Sequence, residues 1–269
     1  MIFDTHTHYD DHQYDEDREA VLASLSEYNV RLAVNIAADR EGVKTTLQLA
    51  KTHDFLYAAL GIHPDGIMEL PEDYCGTLEK IILEDRASEN PRVVAVGEIG
   101  LDYYHRDDIP RERQIYWFRK QLELSCRLDL PVVVHSREAA KDTYDILREM
   151  KTGEGSGIVH CFSYSKEMAR QFLDLGYYIA LGGAVTFKNS RHAKEVAAYV
   201  PKDRLLLETD CPYMAPVPFR GRRNDSTKIP YIVDVMAELR HETREELERQ
   251  TFENALRLFR ISREDLWNG

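Results

Sequence analysis

Short apolar runs of strand length recur along the chain, separated by stretches whose apolar residues fall at helical spacing. The runs at 1–3 (MIF), 32–36 (LAVNI), 57–62 (YAALGI), 93–97 (VVAVG), 132–134 (VVV), 158–159 (IV), 177–181 (YYIAL) and 205–209 (LLLET) predict eight strands. Val21, Leu22, Leu25 and Tyr28 predict a helix closed by Asn29, a residue that tolerates the left-handed conformation of a helix end. Ile115, Phe118 and Leu122 mark a second helix within 111–129, and Thr243 with Glu246 forms a capping box opening a last helix through Leu258. Strands alternating with helices predict parallel βαβ units. Eight such units in about 250 residues match an α/β fold of the (β/α)8 barrel type, a TIM barrel. No linker, low-complexity segment or internal repeat interrupts the pattern, so residues 1–269 are expected to form one domain.

The apolar runs keep ending on residues that bind metals. The first leads into Asp4-Thr5-His6-Thr7-His8, the fourth into Glu98, the fifth into His135, the sixth into His160 and the eighth into Asp210. In an extended chain, side chains two apart share a face, so His6 and His8 can address one ion. A barrel brings the C-terminal ends of all its strands to one mouth. An open doubly wound sheet, the alternative, gathers a site at one reversal of strand order and would struggle to join strands 1, 4, 5, 6 and 8. Imidazole with carboxylate suits Zn, Mn, Fe, Co or Ni and leaves Mg open. Six ligands exceed what one catalytic ion with an open position needs. Two ions about 3.5–4 Å apart fit the number better. The expected division is His6, His8, Glu98 and Asp210 around one ion and Glu98, His135 and His160 around the other, with Glu98 bridging.

Composition narrows the setting. The chain is 43% hydrophobic and 30% charged, and no apolar run approaches the roughly 20 residues that span a bilayer. The first strand starts at the N-terminus of the given sequence and leaves no room there for a secretory signal. Cys75, Cys126, Cys161 and Cys211 are widely spaced, the pattern of reduced thiols in a cytoplasmic protein. A formal net charge of −12 argues against nonspecific coating of nucleic acid but not against a nucleic-acid enzyme, because bound cations change the local field.

The chain resembles the TatD-type deoxyribonucleases. The resemblance rests on His6-x-His8, Gly61-Ile62-His63-Pro64, Gly97-Glu98-Ile99-Gly100-Leu101-Asp102-Tyr103, Val134-His135-Ser136-Arg137, His160-Cys161-Phe162-Ser163 and Glu208-Thr209-Asp210, and it runs from His6 to about Asn254. It implies a TIM-barrel hydrolase of the amidohydrolase-like kind that acts on DNA with two divalent cations, and its ligand positions coincide with the six residues above. It also suggests exonucleolytic trimming of single-stranded ends. The chain departs from the family pattern at Tyr164, where Gly is usual, at Phe219, often polar, and at Ser226, commonly Pro. These three positions are expected to face substrate.

Other residues join the expected site. His63 lies on the catalytic side as a phosphate contact or a proton donor to the leaving group. The planar fork of Arg137 suits a phosphate oxygen. The loop Arg220-Gly221-Arg222-Arg223-Asn224 is the densest basic stretch, so Arg222 and Asn224 are expected substrate contacts, with Phe219, Tyr103 and Tyr104 as surfaces on which bases stack. Glu208 is expected to brace the ligands from a layer below, and Cys161 and Cys211 to serve packing. His12, His53, His105, His192 and His241 receive no role. The expected mechanism is hydrolysis of DNA phosphodiesters by a metal-activated water, with Asp210 taking the proton, Glu98 bridging two cations (Mg, Mn or Zn) and His63 assisting the leaving oxygen. No membrane and no obligate protein partner are inferred. Two alternatives stay open: a hydrolase of a C–N, lactone or phosphotriester bond in a small molecule, and a non-catalytic metal-bearing barrel that binds DNA or protein.

Overall fold

The computed structural model describes residues 1–104, 108–150 and 157–263. Its strands are β1 (Ile2–Thr7), β2 (Val30–Ile36), β3 (Leu56–Ala59), β4 (Val93–Asp102), β5 (Val132–Arg137), β6 (Gly157–Val159), β7 (Tyr178–Leu181) and β8 (Leu205–Leu207). They lie side by side in chain order, each parallel to the next. The ring closes between the last and the first. Thr7 bridges to Cys211, the His8 N–H donates to the Cys211 carbonyl at 2.8 Å, and the Asp210 N–H donates to the His6 carbonyl at 2.9 Å. This is the (β/α)8 barrel.

Helices α1 (Arg18–Ser24), α2 (Arg40–Thr52), α3 (Tyr74–Arg86), α4 (Arg111–Leu128), α5 (Ala140–Met150), α6 (Lys166–Asp174), α7 (Arg191–Tyr199) and α8 (Ile229–Arg240) separate and follow the strands, and α9 (Arg244–Phe259) ends the fold. The capping box of Thr243 and Glu246 opens α9, and Asn29 takes φ 64° where the first helical segment ends. Alternation along the strands sorts the core into two layers. Val132, Val134, Ile179, Leu205 and Leu207 pack outward against the helices. Val34, Ile36, Val133, Ile158, Ala180 and Leu206 fill the barrel together with side chains of α9. Phe3 meets Phe252 and Phe259 at ring-centroid distances of 6.0 and 5.8 Å, so α9 plugs the end of the barrel where the strands begin.

The strand limits differ from the expected runs, and three of the differences bear on the site. The third stops at Ala59 because the backbone of Ile62 is held by a side chain instead of a neighbouring strand: Gln121 of α4 accepts its N–H at 2.8 Å and donates to its carbonyl at 3.0 Å. The fourth continues past Glu98 to Asp102, since β5 offers partners from Ile99–Val134 through Asp102–Arg137. That close pairing needs Gly100, where a Cβ would stand 1.9 Å from the His135 carbonyl at φ +147°. The eighth ends at Leu207, and Asp210 sits in a turn at φ 57°.

Candidate metal centre

Toward the C-terminal ends of β1, β5 and β6, midway along β4 and in the turn after β8, six side chains meet. Glu98 lies among them, and its two oxygens face different imidazoles. Its Oε1 lies 2.9 Å from His135 Nδ1 and 2.7 Å from His160 Nε2, whereas its Oε2 lies 3.3 Å from His6 Nε2 and 3.8 Å from His8 Nε2. Asp210 Oδ1 lies 3.7 Å from His6 Nε2 and 3.6 Å from His8 Nε2, on the second side. His6 and His8 bring their Nε2 atoms to 3.0 Å, and His135 Nδ1 approaches His160 Nε2 at 3.3 Å.

The charges are set by burial and by each other. Burial alone would raise the Glu98 and Asp210 carboxyls, but the surrounding imidazoles hold both below the ordinary carboxylate range. Burial alone would lower His8 and His135, yet their carboxylate partners lift each to about 9. His6 falls to about 4 through burial and the nearby His160. So many converging lone pairs within hydrogen-bond distance are mutually compatible only with protons or cations between them. The nitrogen and carboxylate donors suit divalent metals, and imidazoles that carry protons give them up when a metal binds. The residues present therefore fit the binding of divalent metal.

Buried polar groups brace this set. Asp4 accepts from Thr209 N at 2.9 Å, Thr209 Oγ1 at 2.6 Å and Ser226 Oγ at 2.6 Å, and from His6 N at 3.3 Å. It thereby ties β1 to the turn that carries Asp210, and burial lifts it to about 6 despite these donors. Ser226, expected to face substrate, is instead wholly buried in this network. Glu208 accepts the Cys161 N–H at 2.6 Å, while its other oxygen stands 4.0 Å from His160 Nδ1, beyond hydrogen-bond length. Cys211 packs in the core as expected, but Cys161 lines the mouth because β6 ends before it. Asp102, given no role from the sequence, accepts from His135 Nε2 at 3.1 Å. Its place at the end of β4 was hidden because that strand was expected to stop at Gly97.

A cavity of about 1540 Å³ opens above the centre. His63 lines it, with Nδ1 accepting the Asp65 N–H at 3.1 Å and Nε2 3.9 Å from Glu98. Burial and the neighbouring His135 lower His63 to about 3, and with Nδ1 accepting from Asp65 its Nε2 is the nitrogen that carries a hydrogen toward the cavity. Arg137 lines the mouth and lies over the Tyr104 ring at 4.1 Å. The other expected substrate contacts are mostly engaged elsewhere. Tyr103 donates to Asp142 at 2.8 Å under Arg111, and Phe219 packs edge-on against Tyr231 at 4.9 Å. Asn224 is wholly buried and donates to the Thr209 carbonyl at 3.0 Å, so it braces the turn after β8 and does not reach the mouth. Arg223 forks onto Asp17 at 2.7 and 2.6 Å, and Arg222 remains exposed. The phenol of Tyr164, at another departure from the family pattern, joins Ser136 Oγ at 2.9 Å and accepts the Ala139 N–H at 3.2 Å, tying two loops of the rim together. His12 and His53, given no role, line the cavity's outer flank, and His105 lies outside the described residues.

Comparison with known proteins agrees with this geometry. The chain is 40% identical over 262 residues to the uncharacterized metal-dependent hydrolase YabD of Bacillus subtilis, covering 97% of this chain and 100% of that one. It is 37% identical over 266 residues to the uncharacterized metal-dependent hydrolase YcfH of Escherichia coli, covering 97% and 96%. The crystal structure of YjjV, a TatD homolog from Escherichia coli, superposes with a TM-score of 0.91 at 34% identity, covering 97% of this chain and 98% of that one. The family model described as TatD related DNase matches residues 3–260. The chain is a metal-dependent hydrolase that belongs to the TatD family.

Proposed function

We propose that this protein is a phosphodiesterase, built as a single domain, that hydrolyses DNA with two divalent cations and prefers single-stranded ends. The observation that carries the reading is Glu98, whose two oxygens divide the imidazoles into two groups as a bridging carboxylate would. His6, His8, Glu98 and Asp210 would hold one cation, and Glu98, His135 and His160 the other. When bound, such cations make water acidic enough to yield a nucleophile near neutral pH and offset charge on a phosphate. Asp210, at the rim, receives the proton of the attacking water. His63 offers its Nε2–H to the leaving oxygen, and Arg137 offers its fork to a phosphate oxygen. Family membership supports nucleic acid as the substrate class.

End-labelled single- and double-stranded DNA incubated with Mg, Mn or Zn tests the reading against a His135→Ala control. Stepwise shortening of single strands by the wild-type protein and none by the control is the expected result. Intact DNA under every metal would overturn it.

One observation favours a second reading. The flank of the cavity over β1 and β2 is acidic, with Asp10, Asp11, Asp15, Asp39 and Glu41, and a long polyanion is repelled there. A small neutral or cationic substrate with a C–N, lactone or phosphotriester bond would not be. A metal-supplemented screen of such compounds alongside DNA separates the two.

A further inference from the structure

We propose that Asp102 is a positioning residue whose single carboxylate orients both a ligand of the metal centre and the surface that receives substrate. The proposal rests on the reading of the centre given above. Asp102 Oδ2 lies 3.1 Å from His135 Nε2, on the far side of the ring from Nδ1, which faces Glu98 and His160. An imidazole that donates Nε2–H to a carboxylate keeps its Nδ1 lone pair free, and that is the nitrogen turned to the centre. The other oxygen, Oδ1, accepts the Tyr104 N–H at 2.9 Å. Tyr104 in turn carries Arg137 over its ring at 4.1 Å, beside the cavity.

Asp102 is itself held from both sides. Its N–H donates to Gln114 Oε1 at 2.8 Å, and its carbonyl accepts from Gln114 Nε2 at 2.8 Å. Its strand neighbour in register is Arg137, and the Tyr103 N–H donates to the Arg137 carbonyl at 2.9 Å. The side chain is buried, at 3% exposure, so neither hydrogen bond is traded freely for water. One carboxylate thus fixes the tautomer and tilt of His135 with one oxygen and the start of the Tyr104–Arg137 stack with the other. A residue that merely closed a turn would need only the second bond.

Two variants separate these duties. In Asp102→Asn the amide oxygen can still accept from Tyr104, while its NH2 confronts the His135 N–H and drives the ring to the wrong tautomer or tilt. Asp102→Ala removes both bonds. Metal-free protein is titrated with Zn or Mn by calorimetry, and KM and kcat are measured on a single-stranded oligonucleotide. Asp102→Asn is expected to weaken one class of metal site about 10–100-fold, with the same number of ions at saturation and little change in KM. Asp102→Ala is expected to weaken metal binding similarly and to raise KM as well. Unchanged affinity in Asp102→Asn would overturn the proposal. So would one fewer ion at saturation with the remaining sites unchanged, since Asp102 would then be a ligand.

Should the variants unfold, the wild-type protein still decides. Nitrogen NMR of its metal-loaded imidazoles must show His135 protonated at Nε2, and protonation at Nδ1 sinks the idea. Metal uptake without DNA cleavage would refute the DNA reading and leave the role of Asp102 standing, because the titration uses no DNA. A wild-type protein that takes up no metal overturns both.

Discussion

At the floor of the barrel, Phe3, Phe252 and Phe259 are buried among aliphatic side chains of the strands and α9. At the mouth, His6, Glu98 and His160 are buried almost as completely, yet every one is ionisable. Burial at the floor removes apolar surface from water and stabilises the fold, at roughly 25 cal/mol per Å². Burial at the mouth strips hydration from groups that want it and is tolerated only because the groups compensate one another. The same depth therefore means stability at one end and reactivity at the other. Substitutions at the two ends should separate cleanly in what they change.

The sharpest division is at Glu98. Glu98→Ala should lower turnover by about a thousandfold or more, while the protein still melts cooperatively in metal-free buffer, because imidazoles that lose their carboxylate can shed their protons and stay buried as neutral groups. Steady-state kinetics and thermal melts check both halves, and retained activity would break the bridging assignment. Phe252→Ala should do the reverse. The lost side chain leaves a cavity beneath the barrel worth about 3–5 kcal/mol of stability, visible in denaturant unfolding, while kcat of the folded fraction stays near the wild-type value. A large fall in kcat would show that the floor and the mouth are coupled.

Removing metal should matter at the mouth alone. Stripping the protein with a chelator should lower its stability by about 2.7 kcal/mol for each ion, relative to protein held at a hundredfold excess of metal over that site's Kd. His135→Ala should remove the share of the ion beside His135 and leave that of the ion beside His6 and His8, read by denaturant unfolding with and without metal. The smallest effect belongs to a charge outside both regions. Glu248 of α9 takes the N-terminal ammonium at 3.0 Å, the Asn29 amide at 2.7 Å and Arg244 Nε at 2.9 Å. Burial raises its carboxyl, but Arg244 and the ammonium outweigh burial and hold it below the ordinary value. A carboxyl lowered on folding adds stability that is present above its unfolded pKa, about 4.3, and is lost as pH falls through the folded value. Solvent around Met1 and Arg244 limits the gain to about 1 kcal/mol or less. Glu248→Gln should remove that much at pH 7 and nothing at pH 2, by denaturant unfolding at each pH.

Much of this was legible along the chain. The apolar runs located all eight strands, and the convergence of His6, His8, Glu98, His135, His160 and Asp210 followed from their positions after those runs. The Thr243–Glu246 box was readable because capping is a contact between near neighbours. Residues whose partners lie far off in the chain were not readable. Ser226 looked like a rim residue until its partner Asp4 was known, 222 positions away. Asn224 and Arg223 looked free because a basic loop carries no mark of Thr209 or Asp17. The place of Asp102 is not legible locally, because the length of β4 depends on β5, whose pairing no local pattern announces.

Periodicity and spacing by themselves determined the barrel and which six side chains would meet at its mouth, since alternation along a strand and the parallel βαβ repeat are local properties. The tertiary structure alone decided which Glu98 oxygen faces which imidazole, which basic residues the fold consumes and where Asp102 points. Those outcomes depend on ångström-scale distances between segments far apart in sequence, and only closure of the barrel sets such distances.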